Sequence, residues 1–347
     1  MNVGLKSGDE RPGEVNPRTT PTSIDIVICT HSRASALDAV LAALARLRAP
    51  ADIRWSVLVV DNASTDDTPQ VVEKHRAKGV LSLRYVREQT LGLTPARLRG
   101  VQETAAEWVA FVDDDNLLDA GWLEAMAGAI GEHPNAGGFG GRVCLQWQVE
   151  PPAPLRQFGY CFAEQELGDE PKDVKSLVGA GMVLSRAALE ASGWTQGPLL
   201  EDRVGKRLVS GGDAEIAARV RGAGFKLRYV PTAVMQHVMP PQRASFRYLL
   251  RIAWALGASE ASLRLLGWPG EYAGWKRFAA KEQTRRLRQA LRGLWWSVRT
   301  RRELRSALVW LAAARGFSAG VRQVRALGPE KRSAVIGAAH SQHSLED

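Results

Sequence analysis

Apolar positions along the chain follow two different periods, and the change from one to the other marks out the elements. Ile24-Asp25-Ile26-Val27-Ile28-Cys29-Thr30 is short, β-branched and mostly apolar, which predicts a buried parallel strand. After the polar turn His31-Ser32-Arg33, Leu37, Val40, Leu41 and Leu44 recur at helical spacing, so one face of a helix turns toward a sheet. Trp55 to Val60 predicts a second strand that ends at Asp61, and Asn62 to Asp67 supplies capping residues for the next helix. Leu83 to Val86 predicts a third strand and Trp108 to Val112 a fourth, running directly into Asp113-Asp114-Asp115. Strands alternating with helices imply an α/β fold with a mainly parallel, doubly wound sheet, whose ligands bind at the carboxyl ends of the strands. Asp61 and the aspartate triplet both fall at that edge.

Beyond Gly137 the pattern is broken by Gly and Pro. Short strands are expected at Gly141 to Leu145 and Met182 to Ser185, a helix at Asp213 to Val220, and a strand at Lys226 to Val230. From Ser245 the chain reads as helical, with Phe246, Leu249, Leu250, Ala253, Trp254 and Gly257 in one stripe. The expected organisation is a disordered tail over 1–22, an α/β domain over 23–242, a basic helical region over 243–330 and a flexible tail over 331–347.

Composition sharpens this picture at three points. The 347 residues are 45% hydrophobic, enough for one large domain and an appendage. Cys29, Cys144 and Cys161 are odd in number and match no metal or redox spacing, which predicts reduced structural thiols and a cytoplasmic protein. No secretory signal is visible, and the best apolar run, Ala307 to Ala314, is stopped by Arg315 well short of a membrane span. The net charge of +9 is local. Residues 276–305 hold eleven Lys/Arg against two Glu, so the rest of the chain is neutral.

Three adjacent carboxylates repel one another unless a cation neutralises them. Hard oxygen ligands at a strand end suit Mg²⁺ or Mn²⁺, with substrate phosphates completing the shell; a solvated acidic turn that caps the next helix is the alternative. Asp61 can accept hydrogen bonds from a ribose or base, or else cap its own loop. The glycine-rich dinucleotide loop G-x-G-x-x-G is missing after the first strand, which argues against a dehydrogenase.

Taken together, Cys29-Thr30-His31-Ser32-Arg33, Val60 to Asp66, Gly92 with Ala96-Arg97-Leu98-Arg99-Gly100, and Val112-Asp113-Asp114-Asp115 resemble the family 2 glycosyltransferases of GT-A fold, in order and spacing, over residues 24 to about 240. The resemblance implies that Thr30, Arg33 and Asp61 hold the nucleotide and that Arg97 and Asp114 lie near the donor. Asp113 and Asp115 correspond to the outer members of the family's D-x-D, with Asp115 the direct ligand of Mn²⁺ or Mg²⁺. Gly181, in Gly179-Ala180-Gly181-Met182, falls in the loop beneath the donor sugar. Asp213 stands where the family has its general base, with Glu215 as a rival that an i, i+4 surface pair with Arg219 explains. His237, at the end of an extended segment, becomes a metal or phosphate contact. The sequence departs from the family at Gly212, where Glu is common, and at Ser32 and Leu98, where Asn is common.

These assignments predict sugar transfer with inversion from a nucleotide sugar, a UDP-sugar being favoured, to a saccharide or lipid-linked acceptor in cell-surface polysaccharide or glycolipid synthesis. The alternatives are a degenerate sugar-nucleotide scaffold and a nucleotidyltransferase. Leu287, Leu291, Leu294 and Val298 line one helical face, with Trp295 beside them and Arg285, Arg288, Arg292 and Arg299 flanking it. That pattern predicts either an interfacial helix on an anionic bilayer, which would place the protein on the inner face of the membrane, or a helix packed on the catalytic domain with a solvated basic rim. A second copy in a homodimer is an expected partner; nucleic acid is not, since no stacking-aromatic platform accompanies the charge.

Overall fold

The computed structural model describes residues 22–200, 211–300 and 304–340. The expected disordered tail over 1–22 lies outside the described residues but for Thr22, as does the end of the expected flexible tail, 341–347. In chain order the elements are β1 (Thr22–Thr30), α1 (Ala34–Leu44), β2 (Ile53–Asn62), α2 (Thr68–Ala77), β3 (Leu83–Glu88), α3 (Leu93–Gln102), β4 (Trp108–Asp113), β5 (Asn116–Leu118), α4 (Trp122–Glu132) and β6 (Gly138–Trp147). There follow α5 (Ala153–Gln157), β7 (Lys172–Val174), β8 (Met182–Ser185), α6 (Arg186–Ala191), α7 (Gly212–Gly222) and β9 (Leu227–Met239). Four helices close the described chain: α8 (Phe246–Leu266), α9 (Tyr272–Thr300), α10 (Leu304–Ala326) and α11 (Pro329–Val335).

All nine strands form one sheet, in the order β3-β2-β1-β4-β8-β6-β9-β5, with β7 paired to β9. The first four are parallel, as the βα alternation requires. The second half is mixed: β8 runs antiparallel to both β4 and β6, while β6 and β9 are parallel. Residue parity then sorts the core into two layers. Ile24, Ile26, Ile28, Val57 and Val59 pack with α1 and α4 on one face; Val27, Leu58, Val60 and Phe111 pack with α3, α6 and α7 on the other.

The largest departure from expectation is β9, predicted over 226–230 but running to Met239. Its pairing with β6 jumps from Gly141↔Val230 to Arg142↔Val234, so Pro231 to Ala233 bulge out of the ladder. The bulge accommodates Pro231, which cannot donate to a ladder. It also needs Gly141, where a Cβ would stand 1.9 Å from the Ala233 carbonyl oxygen. Past the bulge, β9 brings His237 opposite Asn116 in the short strand β5, beside the aspartate triplet.

The helical region is joined to the α/β layer by a shared core. Leu249, Ile252 and Ala253 of α8 bury against Met239, Leu155, Phe158 and Phe162. α8 and α10 touch backbone to backbone: a Cβ at Gly316 would stand 2.0 Å from the Trp254 carbonyl oxygen, and one at Gly320 2.1 Å from that of Ala258. The chain beyond residue 331 was expected to be flexible. Instead α11 continues to Val335, which is buried with Trp275 and Phe317, and the Ala339 N–H donates to the Leu266 carbonyl at 3.0 Å. No helix among the described residues is long and apolar enough to cross a membrane.

Candidate functional site

The carboxyl ends of β1, β2 and β4 open into a cleft of about 450 Å³. Thr30, Arg33, Arg97, Asp113, Asp114, Asp115, Asp213 and His237 all line it. Two of the expected residues do not. Asp61 is 0% exposed: its Oδ2 accepts from the Tyr85 hydroxyl at 2.6 Å and its Oδ1 from the Ser64 N–H at 2.8 Å. It braces its own loop from behind and does not line the cleft where a nucleotide contact is expected. Gly181 is turned away as well; its φ is +68° and a Cβ there would meet the Met235 sulfur at 2.8 Å, so Gly179 and Ala180 form the cleft wall.

The loops after β1 and β2 are laced together. The Ser32 N–H donates to Ser64 Oγ at 2.8 Å, and the Ala34 N–H to Asp66 Oδ2 at 2.9 Å. Ser32 has φ +49°, the left-handed region in which Asn is far more at ease than Ser, which gives the departure at this position a local conformational cost. Asn62 orders the next loop: its Oδ1 accepts from the Gly92 N–H at 2.8 Å and its Nδ2 donates to the Thr90 carbonyl at 2.7 Å.

The triplet divides its work among three environments. Asp113, half-buried, faces Arg97 at 3.9 Å, and Arg97 in turn lies over the Phe111 ring. Asp114 is buried; its Oδ2 accepts from the Thr30 hydroxyl at 2.7 Å and its Oδ1 from Arg33. Burial pushes its carboxyl well above the ordinary range, and Arg33 only partly opposes this. Asp115 is equally buried, which alone would also raise it. Yet His237 at 3.4 Å, Arg33 at 3.0 Å and Arg243 at 3.3 Å surround it, and they hold it far below the usual carboxylate range. The backbone fixes this arrangement, because the Asp115 carbonyl accepts from the Val238 N–H at 2.9 Å.

His237 Nδ1 lies 2.9 Å from the Phe162 carbonyl oxygen. That carbonyl accepts a hydrogen bond from Nδ1–H, so in the neutral ring Nε2, the nitrogen nearest Asp115, is the one able to bind a cation. Asp115, in the turn before β5, and His237, on β9, thus offer an oxygen and a nitrogen, a donor set that fits Mn²⁺ or Mg²⁺ once phosphate oxygens and water complete the shell. Among the described residues no group of three His, Cys, Asp or Glu side chains converges on one point, so Asp113 does not join them.

Across the cleft, Asp213 sits in the first turn of α7. Its Oδ2 accepts from the Gly179 N–H at 2.9 Å and its Oδ1 from the Ala214 N–H at 2.9 Å. Each oxygen keeps a further lone pair. A Cβ at Gly179 would lie 2.7 Å from Arg97 and 3.0 Å from Asp213, so only glycine allows the three to meet. Glu215, the rival base, is 0% exposed and outside the cleft. It pairs with Arg219 at 3.1 Å as expected, but inside the protein rather than on the surface, and its carboxylate caps the Leu199 and Leu200 N–H groups at 2.8 Å each.

Sequence reasoning missed the far wall. Arg243, Tyr248 and Ile252 close the cleft from the start of the helical region, with Tyr160 to Ala163 beside them. Arg243 follows the end of β9 in a short turn, and nothing in its sequence context marks it; only the long β9 puts it beside Asp115.

The profile of the family described as Glycosyl transferase family 2 matches residues 25–193. A glucosyl-dolichyl phosphate glucuronosyltransferase of Haloferax volcanii is 23% identical over 251 residues, covering 70% of this chain and 78% of that protein. The poly(ribitol-phosphate) beta-N-acetylglucosaminyltransferase TarS of Staphylococcus aureus is 33% identical over 110 residues, about a fifth of its own length at 19%. Among solved structures, a mannosyltransferase from Pyrobaculum calidifontis in complex with GDP-Man and Mn²⁺ superposes with a TM-score of 0.52 over 94% of this chain and 81% of that one, at 19% identity. S. aureus TarS with UDP-GlcNAc gives 0.51 over 91% of this chain and 84% of that one, at 17% identity. At such identities it is the GT-A fold that is shared. By the profile match over residues 25–193, which hold the strands that carry the aspartate triplet, that part of the chain is similar to the family 2 glycosyltransferases, on a GT-A fold.

Proposed function

We propose that the protein transfers a sugar from a nucleoside-diphosphate sugar to an acceptor hydroxyl, with inversion at the anomeric carbon. The observation that carries this reading is the single cleft shared by Asp115 with His237 on one wall and Asp213 on the other. Inversion calls for a carboxylate on the acceptor side, and Asp213 is held there by two backbone N–H groups with lone pairs to spare. It takes the acceptor's hydroxyl proton as the oxygen bonds to the anomeric carbon; the bond to the diphosphate breaks on the opposite face, and its electron pair leaves with the nucleoside diphosphate. Asp115 and His237 would hold Mn²⁺ or Mg²⁺, which when bound would offset the charge on the departing diphosphate. Arg33 and Arg97 lie on the donor side, one beside Asp114 and Asp115 and the other beside Asp113. Arg243, on the acceptor-side wall, balances Asp115 from there.

The catalytic unit in this reading is 23–242, and the helical region supplies the acceptor-side wall. The bare face of α9 supports a site of action at an anionic membrane surface, on its inner face. Leu291 is 49% exposed, Trp295 61% and Val298 63%, with Arg288, Arg292 and Arg299 beside them. The helix instead packs through Trp275, Ala279, Ala290 and Ser297. The likeness to a glucosyl-dolichyl phosphate glucuronosyltransferase supports a lipid-linked acceptor and glycolipid or surface-polysaccharide synthesis.

The test is a panel of UDP- and GDP-sugars, each offered with Mn²⁺ and with a chelator, with the product's anomeric configuration read by NMR. Metal-dependent turnover giving the inverted anomer is the expected outcome. A retained anomer would remove Asp213 from its role.

A further inference from the structure

A second hollow, of about 640 Å³, lies between α8, α9 and α10. It meets the cleft at Tyr160, Cys161 and Leu256, which line both. Its size falls within the roughly 300–1,000 Å³ of small-molecule sites, far above the water-sized voids that close packing leaves. Its origin is a bias toward small side chains on all three helices: Ala253 and Gly257 on α8, Ala290 and Gly293 on α9, Ala313 and Ala314 on α10. α10 holds α8 at backbone contact through Gly316 and Gly320, while a strut of Arg286 to Glu260, at 2.6 and 2.7 Å, spans the gap between α9 and α8. The charges of that strut neutralise each other; Arg285 and Gln289 add polar groups from α9, and the rest of the lining is mostly small or apolar. Trp310, 55% exposed and edge-on to Phe158, stands at its surface end.

We infer that this trough takes the hydrocarbon chain of an amphiphilic acceptor, whose hydroxyl end reaches Asp213 through the junction at Tyr160 and Leu256. Two observations favour that occupant over a soluble saccharide or a protein helix. The trough adjoins the cleft at Tyr160, Cys161 and Leu256, so a single molecule that passes those side chains would occupy both. Its outer helix is electrically suited to an anionic headgroup or lipid surface: residues 283–300 hold five Arg and no Asp or Glu. The inference rests on the transferase reading, since it names the acceptor class of the same site.

The experiment titrates the full chain with alkyl phosphates of increasing length, below their micelle-forming concentrations, and separately with a UDP- or GDP-sugar plus Mn²⁺. Affinity should rise with chain length by up to about fourfold per methylene and level off when the trough is full. Gly293→Phe is the blocking variant. Gly293 has no atom within 4 Å of its would-be Cβ, and leaving glycine favours the helix, so the variant should fold. It should weaken decyl phosphate at least tenfold and leave nucleotide-sugar binding unchanged, as checked by calorimetry alongside thermal melting. Affinity independent of chain length overturns the inference, whatever the variant does. Equal decyl phosphate binding by wild type and Gly293→Phe overturns it too. If alkyl phosphates behave as expected but no nucleotide sugar binds, the trough stands and the transferase reading falls. If nucleotide sugars bind and alkyl phosphates do not, the reverse holds.

Discussion

At the scale of single residues, position in the sequence foretold less than the direction of a side chain. Asp61 lies at the end of β2 and Asp115 in the turn just after β4, and both are almost wholly buried, yet one braces a loop and the other faces the cleft. The difference lies in what surrounds them: a tyrosine hydroxyl, a backbone N–H and Arg87 at 3.8 Å for Asp61, three cationic or basic side chains for Asp115. A strand-end aspartate is legible in a sequence, but its neighbours across the sheet are not. Paired variants separate the two roles. Asp61→Ala strands the Tyr85 hydroxyl and the Ser64 N–H, which should cost about 1–3 kcal/mol of stability while donor affinity of the folded protein stays within about twofold. Asp115→Ala should abolish the Mn²⁺ dependence of donor binding. Thermal melts and calorimetry read both, and a loss of donor affinity in Asp61→Ala would restore Asp61 to the nucleotide site.

At the scale of elements, the four parallel strands were legible because short, continuously apolar, β-branched runs are local signals. The mixed half was not. β5 has three residues, β7 another three, and β9 crosses a proline by means of a bulge whose need for Gly141 lies 90 residues upstream. His237 could be expected at the site by resemblance, but only that bulge explains how it arrives there. The α9 pattern was legible as amphipathic, and the structure leaves its apolar face largely bare because the helix packs through a different edge. That edge carries its own ion-pair network. Glu282 accepts from Arg285 and Arg286, which lowers its carboxyl to about 2, and burial of Glu260 is outweighed by its hydrogen bonds from Arg286. Both carboxyls titrate lower in the folded protein than in the unfolded chain, so their contribution is complete above about pH 4.3 and is lost as pH falls toward 2. The melting-temperature gap between wild type and Glu282→Gln should therefore stay constant from pH 7 to about pH 5 and narrow below about pH 4. A gap that widens in acid would contradict the assignment.

At the scale of the whole molecule, one cleft joins two halves that the sequence presents as separate. The α/β half supplies the aspartates; the helical half supplies Tyr248 and Ile252, with Arg243 at the junction between the two. A boundary near residue 242 was readable from the change of period, whereas the wall built across it depends on the packing of α8 against Phe158, Phe162 and Met239. Asp213 lies beyond the family-matched residues 25–193, and the site closes only when α7 brings it against Gly179 and Arg97. The most direct measurement is therefore donor affinity and turnover side by side in Asp213→Asn. Asn preserves the shape but removes the proton acceptor, so the donor Kd should be unchanged while kcat falls by about 10²–10⁴-fold. Turnover close to wild type, or loss of donor binding with the fold intact, would contradict the assignment of Asp213 as the base in a shared site.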